Sequence, residues 1–418
     1  MFSVVRKSPI PLGDQLVERV AGLIESGRLP GGSRLPSVRQ LARRVGVSVY
    51  TVTSAFERLS AKGLIDARAG AGYFVAPNRS RTPLSQVELG PLISADPILG
   101  FTRQAIEQAN FSVPAGSGFL PAAARSIVVT FGASHAFDLI ARTLLRANDS
   151  VLVDDPGYFV LHARLRAHGA HLVPVPRVAE GADLDALEAA ARLHRPRMFV
   201  TQTVLHNPTG TSASAANCHG ILTLAEKYNF IVAEDHVYTD LAPRRVVSLA
   251  QIDELKRVLY VGSFTKVLGP GMRIGFIAAP EALVSQLVDS KILGVLSGSA
   301  LDEFVLREML ASGKYRKHIE RLRDRLGTTR AAATAALRRA GLTIEQSAAD
   351  GIFLWCRLPA GVDPERLSVD ARAEGILLAK GAMFSISGRG SDYLRINAAY
   401  GSEPALTQFL ASHCEAAA

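Results

Sequence analysis

The chain has 418 residues, 48% of them hydrophobic and 20% charged, too many for one ordinary core and enough for two or three domains. That is the balance of a soluble globular protein, and no apolar run reaches the ~18 residues that spanning a bilayer takes. The net charge of +9 is unevenly placed: residues 1–78 hold eleven Lys/Arg against five Asp/Glu, whereas the remainder holds 36 against 33, so a polyanionic partner is expected for the N-terminal piece. The three cysteines, Cys218, Cys356 and Cys414, are far apart and odd in number, which excludes a disulfide framework or a zinc site and fits a reducing cytoplasm. Met1 to Gln15 has no apolar core or cleavage site, so no signal peptide is expected.

Leu12 to Ile24 carries apolar residues at 12, 16, 20, 23 and 24, a helical spacing that Asp14 can cap and Gly27 can stop. A second helix opens at Pro36-Ser37, with Ser37 as cap and Val38, Leu41, Ala42 and Val45 facing inward, and ends at Gly46. Ser48 caps a third, with Val52, Ala55, Phe56 and Leu59 inward, ended by Gly63. Two short helices joined by a glycine turn have the form of a helix-turn-helix, and the β-prone runs around Gly70-Ala71-Gly72 read as a hairpin, or wing.

This stretch resembles a GntR-type winged helix through Leu35-Pro36-Ser37-x-Arg39-x-Leu41-Ala42, Val47-Ser48-x-x-Thr51-Val52 and Gly70-x-Gly72-x-Phe74-Val75. The resemblance implies double-stranded DNA as partner, with Arg39, Ser48, Tyr50 and Thr51 at the bases and Arg43, Arg44, Lys62 and Arg68 at phosphates. Where the family often places an arginine, directly after the serine of the third helix, this chain has Val49. Residues 79–95, polar and proline-bounded at the start, read as a linker.

From 127 to 290 apolar strand-like runs alternate with helical ones, which predicts an α/β domain with a largely parallel sheet. Ile127 to Thr130 leads through Phe131-Gly132-Ala133-Ser134 into a helix, a turn at which free N–H groups can hold an anion. The later strands end at Asp154-Asp155-Pro156-Gly157-Tyr158, at His206-Asn207-Pro208-Thr209-Gly210, at Glu234-Asp235-His236-Val237-Tyr238 and at Ser263-Phe264-Thr265-Lys266. Strand ends are where open α/β sheets bind ligands. A lysine among small residues at such an end suits Schiff-base chemistry, because burial and nearby cations free its lone pair. His206 reads as a hydrogen-bonded loop histidine. Glu303 to Arg339 is helical in pattern, and Gly351–Leu358 and Ser391–Ala398 read as strands.

Ser263-x-x-Lys266 with Arg273-x-Gly275, Asn207-Pro208-x-Gly210 and Asp235-x-x-Tyr238 together resemble the fold-type I pyridoxal 5'-phosphate (PLP) aminotransferases. The resemblance implies that Lys266 forms a Schiff base with PLP and that Gly132, Ala133, Ser134, Ser263 and Arg273 hold its phosphate. It also implies that Tyr158 stacks on the ring, Asp235 pairs with the ring nitrogen and Asn207 and Tyr238 meet the phenolic oxygen. Arg395, in Tyr393-Leu394-Arg395-Ile396-Asn397, would take an effector carboxylate. The fold expected is an N-terminal winged helix-turn-helix (1–78) and, after the linker, an α/β fold-type I aminotransferase-like domain (96–418). The latter has a large part to about 290 and a smaller α+β subdomain over 291–418.

A GntR-like winged helix joined to an aminotransferase-like domain resembles the MocR subfamily of regulators. This implies a homodimeric, cytoplasmic transcription regulator that senses an amino acid or other amine by aldimine exchange at Lys266, with turnover unnecessary. The alternatives are a working aminotransferase with a DNA-binding arm and a regulator whose core no longer binds PLP. The chain departs from that pattern over 84–125, where the family's Tyr-Gly-x-x-Gly element is missing and Gly116–Pro121 runs almost directly into the strand at Ile127.

Overall fold

The structure is a computed structural model, and it describes residues 11–25, 29, 32–61, 64–68, 72–76, 126–243, 246–344 and 350–415. The expected deletion over 84–125 lies outside the described residues, as do the glycines proposed to end the first and third helices. The chain divides into two compact units, residues 1–87 and 88–418.

The first unit contains α1 (Leu12–Glu25), α2 (Val38–Val45), α3 (Val49–Ala61), β1 (Ile65–Arg68) and β2 (Gly72–Val75), the strands pairing antiparallel. Its local signals explain the turns. Ser37 and Gln40 form a reciprocal capping box at the start of α2, and Gly46 ends that helix at φ 72°, a left-handed angle that glycine adopts without steric cost. Leu16, Val20, Leu41, Val52, Phe56, Leu59, Ile65 and Val75 make one core. Asp14, expected as a cap, lies inside the first turn of α1 and instead forms an ion pair with Arg58 of α3.

The second unit is built on an eight-stranded sheet in the order β3-β10-β9-β8-β7-β4-β5-β6, formed by Ile127–Thr130, Gly275–Ala278, Val258–Ser263, Ile231–Asp235, Met198–Thr201, Ser150–Asp155, His171–Val178 and Gly181–Ala182. The five strands from β9 to β5 are parallel; β10 runs antiparallel to β3 and β9, and β6 runs antiparallel to β5. β7, β8 and β9 are buried at every position, as strands covered on both faces must be. Gly262 and Gly275 are needed for this packing. A Cβ on Gly262 would stand 2.4 Å from the Phe276 ring, and one on Gly275 2.8 Å from the backbone of Gly132.

The subdomain after residue 290 has a four-stranded antiparallel sheet, β11-β12-β14-β13 (Thr343–Ile344, Phe353–Arg357, Tyr393–Asn397, Ala379–Lys380). The helical stretch from 303 to 339 is two helices, Ala300–Ala311 and Lys314–Arg339, broken at Gly313 with φ 69°. The longer one links two cores: Tyr315 and Ile319 pack with the large sheet, whereas Ala333 and Leu337 pack with the small one.

Candidate functional site

The carboxyl ends of β4, β7, β8 and β9 open on one pocket with about 600 Å³ of empty space. It brings together Ala133, Ser134, Tyr158, Asn207, Asp235, Tyr238, Ser263, Lys266 and Arg273, nine residues drawn from six separate stretches of sequence. Parallel strands send all their carboxyl ends to one edge, and that edge gathers these residues.

At one corner Gly132 opens helix α4 (Gly132–Leu144) at φ 73°. A Cβ there would meet the Thr265 hydroxyl oxygen at 3.3 Å and an Arg273 nitrogen at 3.4 Å. The backbone, the hydroxyl and the guanidinium therefore crowd one small volume beside a helix N-terminus, which is a cradle for an anion. The corner is braced locally. Arg273 Nη2 donates to the Phe131 carbonyl at 3.3 Å, and Thr265 Oγ1 donates to Met272 O at 3.1 Å. Ser263 Oγ accepts the Thr265 N–H at 3.3 Å.

Deeper in the pocket Asp235 is buried and accepts the Val237 N–H at 3.3 Å. Burial pushes its carboxyl up to about 7, opposed by that hydrogen bond and by the Lys266 charge. Lys266 reaches into the open pocket, with its Nζ 5.7 Å from the Tyr238 ring centre. Its amine is held below the usual lysine value, first by the partial burial of its head group and then, against the pull of Asp235, by Arg273 and Arg395. Desolvation also raises the Tyr158 and Tyr238 phenols, so both stay protonated donors.

Arg395 enters from β14. Its guanidinium carbon lies 4.4 Å from the Phe353 ring centre and 4.9 Å from that of Phe384, and its Nη1 donates to Asn207 Oδ1 at 3.0 Å. Its Nε is buried with no partner.

Sequence reasoning missed Gln202, Arg164 and Thr265, which also line the pocket. Gln202 ends the β7 run and gave no signal beyond that. Its Oε1 accepts the Asn207 N–H at 2.8 Å, its own N–H donates to Asp154 at 2.9 Å, and its Nε2 is buried without a partner. His206 is buried and bonded through Nδ1 to Thr209 at 2.9 Å, as expected of a loop histidine.

In the first unit Arg39, Arg43, Arg44, Ser48 and Tyr50 are exposed. Ser48 Oγ accepts the Thr51 N–H at 3.0 Å and lies 2.8 Å from the Thr51 hydroxyl, so both residues serve the helix cap. Lys62 lies outside the described residues, as does the side chain of Arg68.

The aminotransferase class I and II family matches residues 109–412, and the bacterial gntR family of regulatory proteins matches residues 12–75. The chain belongs to the aminotransferase class I and II family by fold and sequence, and it carries that domain behind a GntR helix-turn-helix. It is a regulator of the MocR architecture. The uncharacterized HTH-type transcriptional regulator YdfD of Bacillus subtilis is 28% identical over 458 aligned residues, 94% of this chain and 93% of that one. The probable rhizopine catabolism regulatory protein MocR of Rhizobium meliloti is 27% identical, over 90% and 87% of the two chains. The solved LysN of Thermus thermophilus, an alpha-aminoadipate aminotransferase complexed with N-(5'-phosphopyridoxyl)-L-leucine, superposes with a TM-score of 0.66 at 25% identity, covering 77% of this chain and 90% of its own. The YdfD alignment is longer than this 418-residue chain, so that relative holds residues with no counterpart here.

Proposed function

We propose that the chain is a PLP-dependent, DNA-binding transcription regulator that senses an amino compound at Lys266. The observation that carries this reading is the meeting of Lys266 and Asp235 in one pocket, with Arg395 bonded to Asn207 of its wall, in a chain that also holds a GntR helix-turn-helix.

The residues present fit PLP. The cradle at Gly132, with Ser134, Ser263, Thr265 and Arg273, has the donors for a phosphate. Asp235 would hold a ring cation, Asn207 and Tyr238 would serve the phenolic oxygen, and Tyr158 would cover the ring face. When bound, PLP supplies an aldehyde that captures amines and a ring that draws electrons. Each protein group then has one task. Asp235, buried and short of hydrogen-bond donors, is stabilised as an anion by a facing cation. Lys266 is the chain's own amine at this point, and its lowered pKa leaves it a free base more often than a surface lysine. An effector's amine competes with it. Arg395, whose Nη1 now donates to Asn207, would take a carboxylate and fix the amine beside Lys266. The reading includes a homodimer in the cytoplasm. The exposed apolar run of Leu293, Leu296, Leu301 and Phe304 is surface that a second copy can cover.

A second reading, steady transamination, is favoured by the full set of polar groups in the pocket and by the likeness to LysN. The test of the first is the absorption spectrum of the full chain with PLP, before and after borohydride. A visible band that reduction fixes in the wild type and that Lys266→Ala lacks is the expected result, with amine-dependent change in DNA binding. No band in folded wild-type protein refutes the cofactor reading. Sustained turnover of an amino acid with a keto acid moves the conclusion to the second.

A further inference from the structure

The first turn of α3 presents an apolar surface. Val49 is 51% exposed and Tyr50 81%, on an element whose inner residues Val52, Ala55, Phe56 and Leu59 are all buried. The polar groups beside them are already engaged. Ser48 Oγ takes the Thr51 N–H, the Ser48 and Thr51 hydroxyls bond each other, and Thr53 Oγ1 donates to the Val49 carbonyl at 3.0 Å. Three hydroxyls thus serve the helix, and the two outermost side chains of its first turn are a valine and a tyrosine. Exposed Arg39, Arg43 and Arg44 lie within the ten residues before Val49. A polyanion is therefore the occupant that the surrounding charge selects.

In the major groove the apolar feature that tells one base pair from another is the C5 methyl group of thymine. We propose that Val49 and Tyr50 read thymine methyls, so that T·A pairs of the half-site are specified by apolar contact at the position where an arginine is absent. The inference rests on the DNA-binding reading above and names the chemistry by which that unit selects its site. Val49 is short and packs against a methyl directly, whereas the Tyr50 ring can cover the neighbouring one.

The experiment uses the full chain with PLP and a pool of randomised duplex DNA. Each thymine of the enriched duplex is then replaced singly by deoxyuridine, which removes the methyl and leaves every hydrogen-bonding group. At one or two positions per half-site the replacement is expected to weaken binding about three- to five-fold, the value of one buried methyl. Val49→Ala and Tyr50→Ala should each abolish the distinction at one such position, so that thymine and uracil bind alike there. Both side chains are exposed, and equal thermal melting of the variants shows that folding is intact. Deoxyuridine tolerated at every position overturns the proposal, as do penalties that persist in both variants. Salt-dependent binding with no enriched duplex overturns it while leaving DNA binding in place. Failure to bind any duplex overturns both.

Discussion

Replacing Arg177 with methionine tests how the end of β4, which anchors Gln202 beside the pocket, is held. Arg177 Nη1 lies 3.3 Å from Asp154 Oδ2, and the two side chains are 2% and 5% exposed. They sit on neighbouring parallel strands, and Asp154 also accepts from the Thr201 hydroxyl at 2.9 Å and the Gln202 N–H at 2.9 Å. Removing one partner of a buried pair costs about 3–5 kcal/mol. The two remaining donors place the loss at the lower end, about 3 kcal/mol. Burial already raises the Asp154 carboxyl, and Arg177 is the strongest influence opposing it. Without Arg177 the folded-state value rises further above the unfolded one. An acid raised in this way stabilises the fold at pH below its unfolded value, and that contribution is lost as pH rises through the folded value. The variant's deficit is therefore small near the ordinary carboxyl value, about pH 4, and widens as pH rises through the raised folded value. Urea unfolding followed by far-UV circular dichroism at several pH values measures it. Asp154→Asn in the same chain should recover part of the loss, because the uncompensated charge is gone. A deficit that is below about 1 kcal/mol at neutral pH, or equal at both ends of the range, refutes the reasoning.

Gly132→Ala forces a Cβ into a φ of 73° and into the space between Thr265 and Arg273, which costs about 1–2 kcal/mol from the backbone alone. PLP affinity in a fluorescence titration should fall by about tenfold or more, since the cradle must open. Arg395→Lys keeps the charge and loses the planar fork and its bond to Asn207. The amino-acid concentration that shifts the bound PLP spectrum should rise about tenfold, with PLP affinity itself little changed; equal loss of both would mean that Arg395 only supports the fold. Arg43→Ala with Arg44→Ala should weaken DNA binding evenly across sequences. The same pair should lower the slope of log affinity against log salt by about two, read by anisotropy titration.

Much of the fold and part of the site were legible because certain positions admit few residue types. A left-handed turn before a helix asks for a residue such as Gly132, and Ser37 with Gln40 writes the start of α2 into the sequence. The strands before Asp235 and Lys266 are continuous apolar runs, as buried parallel strands must be. Pairings that depend on sheet order were not legible. Asp154 and Arg177 stand 23 residues apart, and only the adjacency of β4 and β5 makes them partners. Gln202 acts through a backbone N–H five residues on, which no spacing rule flags. Asp14 suits a helix cap by residue type, yet Arg58 comes within reach once α3 packs on α1, and tertiary contact decides. Gly313 broke a helical pattern that periodicity carries straight through.

The subdomain loop at Phe384–Ser387 connects these observations. Phe384 packs on the Arg395 guanidinium, and its carbonyl accepts the Gly157 N–H at 2.8 Å, one residue before Tyr158. Two residues on, the Ile386 N–H donates to buried Asp155 at 3.0 Å, and the Ser387 hydroxyl donates to the same carboxylate. One short loop thus touches both Arg395, proposed to take the effector, and the turn that carries Tyr158, proposed to cover the cofactor ring. Under the proposed function, a ligand shifts the chain between states only through contacts that differ between them. The Arg395–Asn207 bond is such a contact, because a carboxylate on Arg395 competes for the same donor. Its loss or retention changes what the Phe384 ring packs against, and so bears on Asp155 and Tyr158 together. Under the proposed function the contacts of Phe384 are the link by which effector occupancy reaches the wall of the pocket.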